Sequence, residues 1–229
     1  MRVYDFLKTD PPTKIVAVGR NYAEHAKELG NDTPDEPILF LKPPSALLPH
    51  EGTIVRPPQS KRVDYEGELA IVIGRRAKNV PRARWRDVVR GFTCGNDVTA
   101  RDLQKKDVQF TRAKGFDTFC ALGPHIETEL DPRDLKLVTR VNGEIKQSGR
   151  TSQMVFPCDF LVEFITSVMT LEPGDVILTG TPAGIGPLNA GDVVEVEIEG
   201  IGTLRNHVAD SEHSEESAGG QRTQSRRDG

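Results

Sequence analysis

The run Asp64-Tyr65-Glu66-Gly67-Glu68-Leu69-Ala70-Ile71-Val72-Ile73-Gly74 narrows the folds open to this chain more than any other segment. Its aliphatic body reads as a buried strand, and its entry carries two carboxylates. Side chains at i and i+2 of a strand share a face, so Glu66 and Glu68 project into one small volume across a glycine. Two like charges that close are unfavourable unless a proton or a cation neutralises them. The fold must place the mouth of this strand where water or a hard divalent cation reaches it.

Around this run, 21 glycines and 16 prolines cut the 229-residue chain into short apolar pieces. Residues 14–18, 38–42, 68–73, 91–97, 175–179, 192–198 and 202–208 read as strands. Residues 135–141 and 144–146 flank Asn142-Gly143, a strong hairpin signal. Helices are fewer: 21–29 closed by Gly30, 81–89 opened by Pro81, 99–106, and 158–169. Regular strand–helix alternation is missing. The expected class is therefore α+β and mostly β, a mixed, mainly antiparallel architecture with a few covering helices. One domain is expected over residues 1–208, beginning with a short segment at 1–13. From Ala209 to Gly229 there is no bulky apolar residue, so a disordered polar tail is expected.

The net charge of -4, with basic residues scattered, argues against nucleic-acid binding. No apolar run approaches bilayer-spanning length and no signal pattern opens the chain, which points to a soluble cytoplasmic protein without a membrane role. Cys94, Cys120 and Cys158 are far apart and match no zinc spacing, so they read as free thiols.

Four groups of residues could carry chemistry. Asp97 ends the 91–97 strand; beside the glutamate pair it would complete a three-carboxylate site of magnesium type. The spacing leaves open a solvated strand mouth, with Asp97 as a helix cap. His25 and Glu28 are i and i+3 on one helical face, suited to a general base oriented by a carboxylate or to an exposed surface pair. Lys114 lies in a basic and aromatic segment and could hold a substrate carboxylate or an oxyanion. Residues 179–186 follow a strand and are rich in glycine but lack dinucleotide-binding spacing; a carboxylate-binding loop or a plain turn remains open.

Six segments together resemble the fumarylacetoacetate hydrolase family. They are Gly19-Arg20-Asn21-Tyr22-Ala23-Glu24-His25, Phe40-Leu41-Lys42-Pro43-Pro44-Ser45-Ala46-Leu47, Asp64-Tyr65-Glu66-Gly67-Glu68-Leu69, Gly95-Asn96-Asp97-Val98-Thr99-Ala100-Arg101-Asp102, Ala113-Lys114-Gly115-Phe116-Asp117 and Gly174-Asp175-Val176-Ile177-Leu178-Thr179-Gly180-Thr181-Pro182. They run in the family's order from about residue 14 to residue 208. The resemblance implies a mixed β-roll and a metal, usually Mg2+ with Mn2+ or Ca2+ as substitutes, held by Glu66, Glu68 and Asp97. It implies a catalytic group of His25, Glu28 and Lys114, and substrate contacts from Arg20, Arg101, Gln104 and Thr181. It also implies a homodimer of the small bacterial type, acting on small oxo acids. Family members often have proline where this chain has Ala121, which affects loop rigidity more than chemistry.

The reaction expected first is hydrolysis of a C–C bond in a dioxo acid of the acylpyruvate or fumarylpyruvate type. His25 would activate water, Lys114 would hold the tetrahedral oxyanion, and the leaving group would be an enolate. The alternatives are oxaloacetate decarboxylation or tautomerisation, 2-hydroxyhepta-2,4-diene-1,7-dioate isomerisation in aromatic catabolism, and metal-dependent oxo-acid binding without turnover. Each of these reactions needs enolate stabilisation. The helix that bears His25 is expected to close over the substrate.

Overall fold

Both faces of the Gly67–Ile73 strand are buried along its whole length, which is why its sequence is a continuous aliphatic run and does not alternate. In this computed structural model, which describes residues 1–211, the strand is central in a seven-stranded sheet. Across that sheet the order is Ile38–Lys42, Ile15–Gly19, Val176–Leu178, Gly67–Ile73, Val89–Asp97, Cys120–Glu127 and Leu47–Pro49. Most neighbours are antiparallel; Ile15–Gly19 runs parallel to Val176–Leu178, and Leu47–Pro49 to Cys120–Glu127. A second sheet has five strands, in the order Glu144–Arg150, Lys136–Val141, Val193–Ile198, Gly202–Asp210 and Thr53–Arg56.

Alternation along the central strand sets the two cores. Leu69, Ile71 and Ile73 belong to the cluster that joins the sheets, with Leu137, Val194, Val196 and Leu204 from the second sheet. Ala70 and Val72 face the other way, into a cluster with Ile15, Val176, Leu178 and the Val3–Thr9 helix, which contributes Val3, Phe6 and Leu7. The α+β, mostly β architecture agrees with the sequence reading. No helix among the described residues is long and apolar enough to cross a membrane.

The expected strand entry is more broken than its pattern suggested. Val63–Tyr65 pairs with Thr99–Ala100 and Gly186–Pro187 in a separate three-stranded sheet, and Glu66 lies between that sheet and the Gly67–Ile73 strand. Residues 99–106 divide into the Thr99–Ala100 strand and the Arg101–Lys106 helix, so Asp97 caps no helix. The segment after Pro81 is a 3-10 helix, Arg82–Val88. The Val3–Thr9 helix and the Cys120–Glu127 strand were not anticipated. Asn142 and Gly143 both have positive φ, as a two-residue hairpin turn requires. Ala209 and Asp210 finish the last strand and belong to the fold; the rest of the expected tail, 212–229, lies outside the described residues.

Candidate active site

The site forms where the long strands give way to the small sheet. The ladder pairs Gly67 with Asn96 and Glu68 with Gly95. One step further, the Asp97 N–H donates to the Glu66 carbonyl at 2.9 Å, so Glu66 and Asp97 are opposed although Glu66 is outside both strands. Opposed residues share a face. Gly95, opposite Glu68, presents no side chain there. One potential ligand atom from each of Glu66, Glu68 and Asp97 lies within 4.8 Å of the others, and all three residues are buried. Gly67 is required between the glutamates, because a Cβ there would lie 2.1 Å from Thr139 Oγ1.

Cations surround the cluster unevenly. Lys114 Nζ donates to Glu66 Oε2 at 2.8 Å and to Asp97 Oδ2 at 2.7 Å. The Arg101 guanidinium reaches Glu66 Oε1 in a short ion pair, Asp64 Oδ2 at 2.9 Å and Gln104 Oε1 at 2.6 Å. Lys42 Nζ makes a short contact with Asp97 Oδ1 and donates to the Val98 carbonyl at 3.1 Å. Glu68 has no cationic partner among the described residues; its Oε2 accepts the Gly180 N–H at 2.7 Å.

The electrostatics follow that asymmetry. Burial by itself pushes Glu66 up, but Lys114 and then Arg101 outweigh it and hold its carboxyl well below the usual carboxylate range. Burial pushes Glu68 well above that range, and the neighbouring Asp97 and Glu66 add to the rise. Asp64 is paired with Arg62 and Arg101, Glu66 with Arg101 and Lys114, and Asp97 with Lys42 and Lys114, so among these buried carboxylates Glu68 alone lacks a cation of its own. Oxygen ligands, convergence and this unrelieved negative charge fit a hard divalent ion. The ammonium bridging Glu66 and Asp97 shows that the position between them favours a cation.

A cavity of about 180 Å³ opens beside the carboxylates. His25, Lys114, Arg20, Arg101, Gln104 and Thr181 all line it, as do Glu66, Glu68 and Asp97. Glu28 does not; it acts behind His25, with Oε2 3.2 Å from the imidazole Nδ1 and Oε1 accepting the Gly184 N–H at 3.1 Å. With Nδ1 taken by Glu28, the His25 ring has Nε2 for a ligand. The 179–186 loop is thus a carboxylate-binding loop, but the carboxylates that it holds are the protein's own Glu68 and Glu28.

Two expected substrate contacts are already committed to the protein. The Arg101 fork is occupied by Asp64, Glu66 and Gln104, which leaves the Gln104 amide nitrogen as the available donor. The Thr181 hydroxyl donates to the Gly67 carbonyl at 2.8 Å and accepts from Gln147 Nε2 at 2.7 Å. It therefore buttresses the backbone at Gly67, between the two glutamates. The sequence reading passed over Lys42, Asp64, Gln147 and Asn21. A lysine at the end of an apolar strand, stopped by Pro43-Pro44, was the one available signal for Lys42. Asn21 joins the start of the His25 segment to the loop: its Nδ2 donates to the carbonyls of Thr179 and Phe156, and its Oδ1 accepts the Phe156 N–H. The three cysteines are free, and burial pushes each thiol up to about 12, so they are poor nucleophiles.

Residues 14–209 match the family model for the fumarylacetoacetate (FAA) hydrolase C-terminal domain. The chain belongs to the fumarylacetoacetate hydrolase family. Within it, the chain is 46% identical over 197 residues to the mitochondrial oxaloacetate decarboxylase of Dictyostelium discoideum, covering 83% of this chain and 90% of that protein. It is 45% identical over 209 residues to the human mitochondrial oxaloacetate tautomerase FAHD2A, covering 86% and 67%. The solved structure of 5-carboxymethyl-2-hydroxymuconate delta-isomerase from Mycobacterium smegmatis superposes with a TM-score of 0.82 at 53% identity, covering 87% and 80%. Fumarylacetoacetate hydrolase relatives thus include a decarboxylase, a tautomerase and an isomerase.

Proposed function

We propose that the protein is a magnesium-dependent enzyme that interconverts the keto and enol forms of a small 2-oxo dicarboxylic acid of the oxaloacetate type. The observation that carries this reading is the His25–Glu28 pair at the edge of the carboxylate cavity. His25 lines the cavity with one ring nitrogen oriented by Glu28, as proton transfer requires. Keto–enol exchange needs that proton carrier and a centre that stabilises an enolate, whereas hydrolysis needs in addition an activated water and a held tetrahedral oxyanion. The decarboxylase and tautomerase relatives support the same preference.

A bound magnesium ion, held by Glu66, Glu68 and Asp97, would supply Lewis-acid polarisation of the 2-oxo group. His25 Nε2 takes the proton from C3 of the keto acid and delivers it to the 2-oxygen, which yields the enol; the reverse path restores the ketone. Glu28 holds the imidazolium formed in between. Arg20 and the Gln104 amide are the donors for the distal carboxylate. Leu29, Phe40 and Phe110 line the cavity with apolar surface and limit the access of water to the carbanionic stage. Decarboxylation would start from the keto form without removal of the C3 proton: loss of CO2 from C4 leaves the pyruvate enolate, which is then protonated at C3. A cytoplasmic homodimer is part of the proposal, and size-exclusion chromatography with light scattering tests the dimer.

The deciding assay gives the protein enolic oxaloacetate with Mg2+ and follows loss of enol absorbance and formation of pyruvate. Acetylpyruvate is assayed in parallel. The expected result is tautomerisation that EDTA abolishes. Turnover that survives EDTA, or acetylpyruvate hydrolysis faster than oxaloacetate tautomerisation, overturns the proposal.

A further inference from the structure

Lys42 is fully buried and yet does not line the cavity. It is the last residue of the Ile38–Lys42 strand, paired with Ile15, and Pro43 follows at once. Burying an ammonium is costly unless it is paired and hydrogen-bonded. Its two partners are Asp97 Oδ1 and the Val98 carbonyl, so its one charged contact is with the outer oxygen of a candidate metal ligand.

The other two carboxylates are held the same way. Arg101 occupies Glu66 Oε1, and the Gly180 N–H occupies Glu68 Oε2. Each of the three carboxylates therefore has one oxygen fixed by a donor from a different element, with Glu66 Oε2, Glu68 Oε1 and Asp97 Oδ2 remaining. Lys114 bridges two of those three. One-oxygen ligation suits a small octahedral ion, whereas calcium takes about 6–8 oxygens and readily uses both oxygens of a carboxylate.

We propose that Lys42 is a positioning residue that keeps Asp97 a one-oxygen ligand and so biases the centre toward magnesium over calcium. The inference rests on the metal reading given above. Its diagnostic quantity is a ratio. Removing Lys42 also removes a positive charge, and that alone strengthens binding of either dication; only release of Asp97 Oδ1 favours calcium selectively.

The test is calorimetric titration of chelator-treated protein with Mg2+ and with Ca2+, on wild type, Lys42→Met and Lys42→Arg. The expected result is a Ca2+-to-Mg2+ affinity ratio about tenfold higher in Lys42→Met and close to wild type in Lys42→Arg, which restores the donor. An unchanged ratio in Lys42→Met, with magnesium still bound by wild type, overturns this inference alone. Wild type that binds neither ion overturns the metal reading and this inference with it. Should Lys42→Met not fold, infrared spectra of the Mg2+- and Ca2+-loaded wild type decide. Widely split carboxylate bands with both ions are expected, and two-oxygen bands on calcium loading would sink the idea.

Discussion

The Asp97 N–H donates to the Glu66 carbonyl at 2.9 Å, and that bond carries the register of the two central strands one residue past the point where Glu66 leaves the sheet. It makes the three carboxylates one site, and it depends on Gly67 being able to sit directly above Thr139. A methyl group at Gly67 would lie 2.1 Å from Thr139 Oγ1 and 3.3 Å from Val196 Cγ1. Gly67→Ala is therefore expected to destabilise the fold by roughly 1–3 kcal/mol through overpacking, and to weaken magnesium binding by displacing Glu66. Thr139→Ala in the same chain removes the closest atom and is expected to recover part of both losses. Urea denaturation and metal titration of the single and double variants check this; full stability in Gly67→Ala would contradict it.

The pairing of Glu66 with Asp97 also marks how far the sequence could be read. The aliphatic run after Glu68, the Asn142-Gly143 turn and the acidic triad were legible, because each depends on local spacing. Glu66 was read as part of a continuous strand because Asp64 and Tyr65 carry no breaker; the break arises from pairing with Thr99–Ala100, a contact distant in sequence. Lys42, Asp64 and Gln147 were missed for the same reason. A buried lysine and an exposed one have the same letter, and only tertiary neighbours such as Asp97 distinguish them. Arg101 and Thr181 line the cavity, but the sequence does not show that their polar atoms are already committed to Asp64, Glu66 and Gly67.

Glu68 governs how the metal-free protein responds to pH. Its folded-state affinity for a proton is raised, first by burial and then by Asp97 and Glu66. The folded state thus binds more protons than the unfolded state between the ordinary carboxylate value and the raised one, and stability falls as pH rises through that window. Glu66 has the opposite sign: its lowered value contributes stability above the ordinary carboxylate range that is lost as pH falls through the folded-state value. Glu68→Gln is therefore expected to melt higher than wild type at about pH 8 in EDTA, by roughly 1–3 kcal/mol of stability, and to lose the stabilisation that magnesium gives wild type. Thermal melts at several pH values with EDTA or Mg2+ check both halves. Equal melting of the two proteins in EDTA at alkaline pH would count against the buried charge.

His25 and Glu28 should separate in their effects. His25→Ala removes the proton carrier and is expected to lower kcat for tautomerisation by about 10²–10⁴. Decarboxylation, which needs no proton taken from C3, should fall much less. Glu28→Gln leaves the imidazole in place but weakens the hold on Nδ1, so an intermediate loss is expected, with little change in metal affinity. Parallel rates for enol decay and pyruvate release, with a calorimetric magnesium titration of each variant, check this. Equal losses in both reactions would mean that His25 acts on binding and not on the proton.

Asn21 carries the last prediction, because it ties the entry of the His25 helix to the loop that holds Glu68. Its side chain is fully buried and makes three hydrogen bonds, two to carbonyls of Phe156 and Thr179 and one from the Phe156 N–H. Asn21→Ala would leave all three backbone groups without that partner in a site too enclosed for easy replacement by water. A loss of about 2–4 kcal/mol is expected. The effect should extend to the site: Gly180, whose added Cβ would lie 2.7 Å from Asn21 Cβ, packs directly on this side chain and donates to Glu68 Oε2. Weaker packing frees the loop, so magnesium affinity should fall even at temperatures where the variant is fully folded. Asn21→Asp is the control: it keeps the acceptor for the Phe156 N–H but turns two donor contacts into carboxylate–carbonyl repulsions, and it should be worse than alanine. Denaturant melts rank the three proteins, and metal titration well below the melting point separates loop positioning from global stability; magnesium affinity unchanged in a folded Asn21→Ala would confine Asn21 to a purely structural part.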